Sequence, residues 1–176
     1  MERTLRTTRA FEGRLIAVRV DEVERPDGRH ATREIVEHPG AVAILAWYGA
    51  RLGMVRQWRH AAGDVLLEIP AGTMEQDEEP LATARRELAE EMGVAAESWT
   101  RGPSFYTAPG FCTERLTLFL ATELREVETV APDDEHIERA WVPLREALDG
   151  VEDGRVADAK SIAGILWLAA RLPDLS

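Results

Sequence analysis

The stretch Gly72-Thr73-Met74-Glu75-Gln76-Asp77-Glu78-Glu79-Pro80-Leu81-Ala82-Thr83-Ala84-Arg85-Arg86-Glu87-Leu88-Ala89-Glu90-Glu91-Met92-Gly93-Val94 decides the fold. Pro80 suits the first turn of a helix, where a missing N–H costs nothing, and Gly93 suits its end. The pattern therefore predicts a helix from about Pro80 to Met92. Residues three and four apart share a helix face. Leu81, Ala84, Leu88 and Met92 form an apolar stripe that must meet a core, and Glu87, Glu90 and Glu91 form an acidic stripe beside it. Like charges at this spacing cost roughly 0.2–0.5 kcal/mol per pair. A solvated acidic face is the plain reading of such a run, but a hard divalent cation reverses the sign of that cost. Ahead of the helix, Gly72 permits an unusual backbone turn, and Glu78 adds a further acid.

Outward from this helix the chain reads as strands. Gly13 to Val23 has β-branched residues in rough alternation, Pro26-Asp27-Gly28 is a turn, and Arg33 to Glu37 completes a hairpin that Pro39-Gly40 ends. Ala41 to Trp47 reads as a buried strand, Leu52 to Trp58 as another, and Val65 to Ile69 as a short one stopped by Pro70. After the helix come strands near Trp99 to Tyr106, Leu116 to Ala121 and Ile137 to Val142. Helical segments follow at Leu144 to Leu148 and Ala159 to Arg171. Strands around one central helix, closed by another, predict an α/β sandwich on a mixed sheet. We read residues 1–40 as N-terminal strands belonging to the same domain as residues 41–176.

Composition narrows the class. The 176 residues are 45% hydrophobic and 30% charged, the balance of a globular domain with a real core. The longest apolar run, Ala41 to Tyr48, is too short to span a bilayer, and the basic start of the chain lacks the apolar segment of a secretory signal. These features set the expectation of a cytoplasmic protein. A net charge of −11 argues against nucleic-acid or membrane partners. It also requires a cation between the protein and any anionic ligand. Cys112, the single cysteine, reads as a small residue in or near the core. Trp47, Trp58, Trp99, Trp141 and Trp167 read as core residues, and His30, His38, His60 and His136 show no ligand spacing.

Gly72, Glu78, Arg86, Glu87, Leu88, Glu90, Glu91, Gly93 and Val94 fall in register with a known signature: glycine, five residues, glutamate, seven residues, Arg-Glu, aliphatic, any residue, Glu-Glu, any residue, glycine, aliphatic. The chain thus resembles the Nudix hydrolase family, and the match is without departure. The resemblance implies a Nudix-type α/β/α sandwich with an N-terminal β-hairpin extension. It also implies hydrolysis of a nucleoside diphosphate linked to some group X. Glu87 and Glu91 would be the main ligands of Mg²⁺ (or Mn²⁺), with Glu90 close by and the Ala71 carbonyl adding an oxygen. Arg86 would pair with Glu78 and hold the loop against the helix; an i,i+4 pair with Glu90 is the simpler role for the same arginine.

The group X must be read elsewhere. Tyr106-Thr107-Ala108-Pro109-Gly110-Phe111-Cys112-Thr113-Glu114 resembles the Pro-Gly…Glu loop of the ADP-ribose pyrophosphatase subgroup. Arg33-Glu34-Ile35-Val36-Glu37-His38 resembles the strand with which that subgroup contacts substrate, and Val55-Arg56-Gln57-Trp58-Arg59 resembles its next arginine-bearing strand. The likeness implies that Arg33, Glu34 and Arg59 hold the nucleotide and phosphates, together with Pro109, Gly110, Phe111 and Glu114. A general base is expected late in the chain, Glu135 first and Asp133 second. The products would be AMP and ribose 5-phosphate, and N-terminal strand exchange would make a homodimer. The alternatives are a Nudix hydrolase of another nucleotide sugar or dinucleotide such as a GDP-sugar, a hydrolase of oxidised nucleoside triphosphates, and a non-catalytic nucleotide-sensing domain.

Overall fold

Turn chemistry organises the N-terminal strands. At Pro26-Asp27-Gly28 the glycine takes φ 79°, a left-handed value that favours Gly, and its N–H donates to the Arg25 carbonyl at 2.9 Å. This joins β2 (Ala17–Glu24) to β3 (His30–Glu37), which pair antiparallel with Val20 opposite Glu34 and Asp21 opposite Arg33. The computed structural model describes residues 1–75, 77–128 and 137–172. In it the expected two-stranded hairpin is a three-stranded antiparallel sheet, because β1 (Arg3–Glu12) pairs with β2. Every residue of β1 is exposed. The strand therefore carries no alternation of buried and exposed positions from which it could have been read. Its cross-strand contacts are polar instead: Arg3 on Glu24 at 2.7 Å and the Thr7 hydroxyl on Asp21 at 2.8 Å.

Met1–Gly40 and Phe105–Arg115 form one compact unit. The Pro109-Gly110 loop joins it by a short parallel bridge, with Val36 N–H donating to Phe111 O (2.7 Å) and Thr113 N–H to Val36 O (2.9 Å). Cys112 lies in this bridge, half-buried.

The second unit comprises Ala41–Ser104 and Leu116–Ser176. Its sheet runs in the order β10 (Ile137–Pro143), β5 (Arg51–Arg59), β4 (Ala41–Tyr48), β9 (Arg115–Glu126), β8 (Val94–Tyr106). β6 (Asp64–Glu68) pairs with β5, and β7 (Ala71–Thr73) with β4. The β4–β9 pair is parallel and the β5 pairs are antiparallel, so the sheet is mixed. Among the described residues three helices complete it: α1 (Pro80–Met92), α2 (Leu144–Asp153) and α3 (Ala159–Ala169).

β4 is buried throughout Ala41–Ala46 because both its faces are covered. Val42, Ile44 and Ala46 pack with Ala84, Leu88 and Met92 of α1. On the other face Leu45 meets α3 at Gly164, where a Cβ would stand 3.2 Å from the Leu45 side chain. Burial of a side chain such as Leu88 contributes roughly 1.5–3 kcal/mol. The result is helix, sheet and helix in layers. Among the described residues no helix is long and apolar enough to cross a membrane.

Some expected boundaries move. β8 starts at Val94, immediately after the helix, rather than near Trp99; β9 continues to Glu126; α2 continues to Asp153. Trp58 is not a core residue. The alternation of β5 turns it outward at 56% exposure, while Gln57 beside it is buried.

Candidate active site

The carboxylate helix is held at both ends by the chemistry of its sequence. Pro80 follows the N-cap Glu79, and Gly93 closes the C-terminus in the left-handed region (φ 68°), its N–H on the Ala89 carbonyl. The last turn of α1 contains no basic residue of its own. Arg139 of β10 supplies one, donating to the carbonyls of Glu91 (2.7 Å) and Glu90 (3.1 Å). A cation there satisfies orphan carbonyls and complements the helix dipole. A Cβ at Gly93 would come within 2.5 Å of the Arg139 guanidinium, so the glycine also makes room for the clamp.

Arg86 organises the acids. Its Nε and Nη2 donate to the two oxygens of Glu78 at 3.3 and 3.2 Å, and its Nη1 to Glu87 at 2.7 Å and Glu90 at 3.2 Å. It thus makes both the contact with Glu78 and the i,i+4 contact with Glu90. Glu78 also accepts from the Glu75 N–H at 3.1 Å. The hydrogen bond from Arg86 holds the Glu78 carboxyl below the usual carboxylate range. Burial works against the charge on Arg86, but its hydrogen bond to Glu78 and the charge of Glu87 outweigh it and raise its pKa.

Glu91 is 5% exposed and its carboxylate accepts from the Ala71 N–H at 3.0 Å. Glu87 packs onto Gly72, where any Cβ would overlap its carboxyl group. The reason for glycine at position 72 is therefore space. Its φ is not in the left-handed region, which corrects the expectation of an unusual turn there.

Among the described residues no three acids, imidazoles or thiols converge into a preformed metal cage. The cause is visible: Glu87 and Glu90 lean on Arg86, and Glu91 on the backbone of Ala71. The donor set itself suits a hard divalent cation, being three carboxylates within one helical turn beside a backbone segment.

The residues expected to hold substrate divide between the two units. In the first, Arg33, Pro109, Gly110 and Phe111 line one cavity of about 630 Å³, joined by Arg19, Ile35 and Tyr106. Arg33 pairs there with Glu2. Glu34 lies on the opposite face of β3 from Arg33 and does not line the cavity. Glu114 accepts from the Thr107 hydroxyl at 2.5 Å and lies 3.7 Å from His38. Because Gly40 N–H donates to His38 Nδ1 at 3.1 Å, that nitrogen acts as an acceptor, which gives His38 a role in holding its turn. In the second unit, Arg59 makes a forked pair with Glu68 at 2.9 and 2.7 Å. Glu135 and Asp133 lie outside the described residues. Arg139 and Lys160 escaped the sequence reading, since each acts on residues distant in the chain.

A mixed sheet carrying a helix of three acids, fronted by a glycine and an arginine clamp, defines a class of protein, and comparison with known proteins gives the family. The NUDIX domain model matches residues 37–163, and the model of the nucleoside diphosphate sugar hydrolase N-terminal domain matches residues 2–36. The chain belongs to the Nudix family and is a Nudix hydrolase. It is 43% identical over 170 residues to an ADP-ribose pyrophosphatase of Bacillus subtilis (strain 168), covering 95% of this chain and 92% of that protein. It is 39% identical over 170 residues to a methanol dehydrogenase activator of Bacillus methanolicus, at the same coverage. The fold matches the crystal structure of an ADP compounds hydrolase with a TM-score of 0.88 at 21% identity, covering 98% of this chain and 95% of that one.

Proposed function

We propose that the chain cleaves the diphosphate of ADP-ribose to AMP and ribose 5-phosphate with Mg²⁺ as cofactor. The observation that carries the substrate reading is the cavity of the first unit. There the Arg33 guanidinium, in the segment similar to the nucleoside diphosphate sugar hydrolases, lines the same cavity as the Pro109-Gly110 loop and the exposed rings of Tyr106 and Phe111. A guanidinium offers forked donors to phosphate and ribose oxygens, and an exposed ring such as Phe111 offers a face to a base. Likeness over nearly the whole chain to a protein named for ADP-ribose adds support.

In this reading Arg33 holds the nucleotide beside Pro109, Gly110 and Phe111, with Glu34 and Glu114 as the remaining polar candidates, and Arg59 meets the phosphates. Glu87, Glu90, Glu91 and the Ala71 carbonyl would hold the divalent ion, which supplies Lewis acidity and an activated water. Arg86, paired with Glu78, holds the loop against the helix, and Glu135, or else Asp133, takes the proton from the attacking water. The protein acts in the cytoplasm as a homodimer that exchanges N-terminal strands. The exposed strand β1, paired on one edge only among the described residues, is the feature that supports the exchange.

A panel of nucleotide sugars, dinucleotides and oxidised triphosphates with Mg²⁺ tests the reading, products being separated and identified. ADP-ribose is expected to give the highest kcat/KM, and Glu91→Gln to abolish turnover. A GDP-sugar hydrolysed much faster than ADP-ribose would overturn the substrate, and undiminished activity of Glu91→Gln would overturn the metal ligands.

A further inference from the structure

A second charged cluster lies away from the acid helix. Glu68, at the end of β6, is 1% exposed. One of its oxygens accepts from Arg59 Nε and the other from Arg59 Nη2, and this second oxygen also accepts from the Lys160 ammonium. The side chain of Lys160 is only 15% exposed and makes a second bond, to Asp158, at 2.9 Å. Asp158 is fixed in turn, because its carboxylate caps α3 by accepting from the Ser161 N–H at 3.1 Å. The Ser161 hydroxyl accepts from the Ile69 N–H at 2.9 Å, fully buried. The N-terminus of α3 therefore grips the dipeptide Glu68-Ile69 by side chain and backbone, two residues before Ala71.

Such a cluster is expensive to build. A buried carboxylate loses its hydration and needs close partners to recover it. Burial alone disfavours the charge on Glu68, but the hydrogen bond from Arg59 and the charge and hydrogen bond of Lys160 outweigh it and lower its pKa. The cost is not incurred to bury Arg59, whose side chain stays 38% exposed. What the cluster gives Arg59 is direction: a carboxylate gripped from behind by Lys160 presents both oxygens to the planar fork and fixes its plane.

We propose that Lys160 and Glu68 are positioning residues for the hydrolytic reaction, Lys160 holding Glu68 and Glu68 aiming the Arg59 guanidinium at the diphosphate. This rests on the reading of Arg59 as a phosphate contact. It predicts that Lys160 acts on substrate binding only through Arg59.

The test is a double-mutant cycle on the full chain, assayed with ADP-ribose and Mg²⁺. Lys160→Met is expected to raise KM by ~5–10-fold with kcat within about twofold, and Lys160→Arg to restore KM in part. Arg59→Ala raises KM at least as far, and adding Lys160→Met to it changes KM no further. Should Lys160→Met fail to fold, Asp158→Asn takes its place. Asparagine caps a helix as well as aspartate but withdraws the charge that steadies Lys160, so KM rises in the same direction. A fall in Tm with KM unmoved would reduce Lys160 to a structural brace and overturn the proposal, as would KM effects that simply multiply in the double variant. An unchanged KM in Arg59→Ala would overturn the phosphate-contact reading itself, and the proposal with it.

Discussion

At the scale of single residues, Gly72 shows how a motif position acquires its meaning. The sequence marks a glycine at a fixed distance from the acids, and conformational freedom is the ready explanation. The structure supplies a different one, since the Glu87 carboxyl occupies the place a side chain would take. Gly72→Ala must displace Glu87 from the helix face it shares with Glu90 and Glu91. A misplacement of about 1 Å at a reacting centre costs on the order of a hundredfold in rate. We therefore expect Gly72→Ala to lose about that much kcat while its circular dichroism spectrum stays unchanged; near-normal turnover would show that Glu87 tolerates the shift. The acid stripe and its apolar neighbours were legible because both follow the helical period. The partners of those acids were less so. Arg86 lies beside them in sequence, but Arg139 reaches the same helix from forty-eight residues beyond Glu91, and no local pattern announces it.

Among the elements, β4 and β1 mark the limits of pattern reading. β4 is recognisable from its unbroken apolar run because two layers cover it. β1 carries no such signature, since every one of its residues is exposed and its cross-strand pairs include hydrogen bonds and ion pairs such as Arg3 with Glu24. Tethering of β6 to α3 is likewise invisible in sequence, and it has a consequence for acid stability. The folded-state pKa of Glu68 lies below its ordinary value of 4.5. Its contribution to stability is therefore complete above that value and is lost as pH falls through the folded pKa. Urea unfolding measured from pH 7 down to pH 3 should show a steep loss for the wild type below about 4.5. Glu68→Gln should start less stable and fall less steeply; parallel curves would remove Glu68 from the account.

For the whole molecule, the three-stranded sheet poses a question of cover. Leu5, Phe11 and Leu15 are exposed, and among the described residues β1 is paired on one edge only. Edge strands that expose apolar side chains rarely stand uncovered in water. A second copy is the cover we expect, and light scattering should return about twice the 19.6 kDa chain mass. Deleting β1 should then return a mass near that of one chain, and a full-length monomer at micromolar concentration would end the dimer reading.

The bond between Arg86 and the helix acids carries one more consequence. Arg86 is a cation tethered to the very oxygens that a dissolved cation would use. A tethered competitor cannot be diluted away, because its effective concentration is set by the geometry of the chain. Affinity for the ion is then a difference between two bindings, weaker than three carboxylates alone would give. Replacing Arg86 with Gln should tighten Mn²⁺ binding in calorimetry even as turnover declines, so that hold on the ion and use of it move in opposite directions.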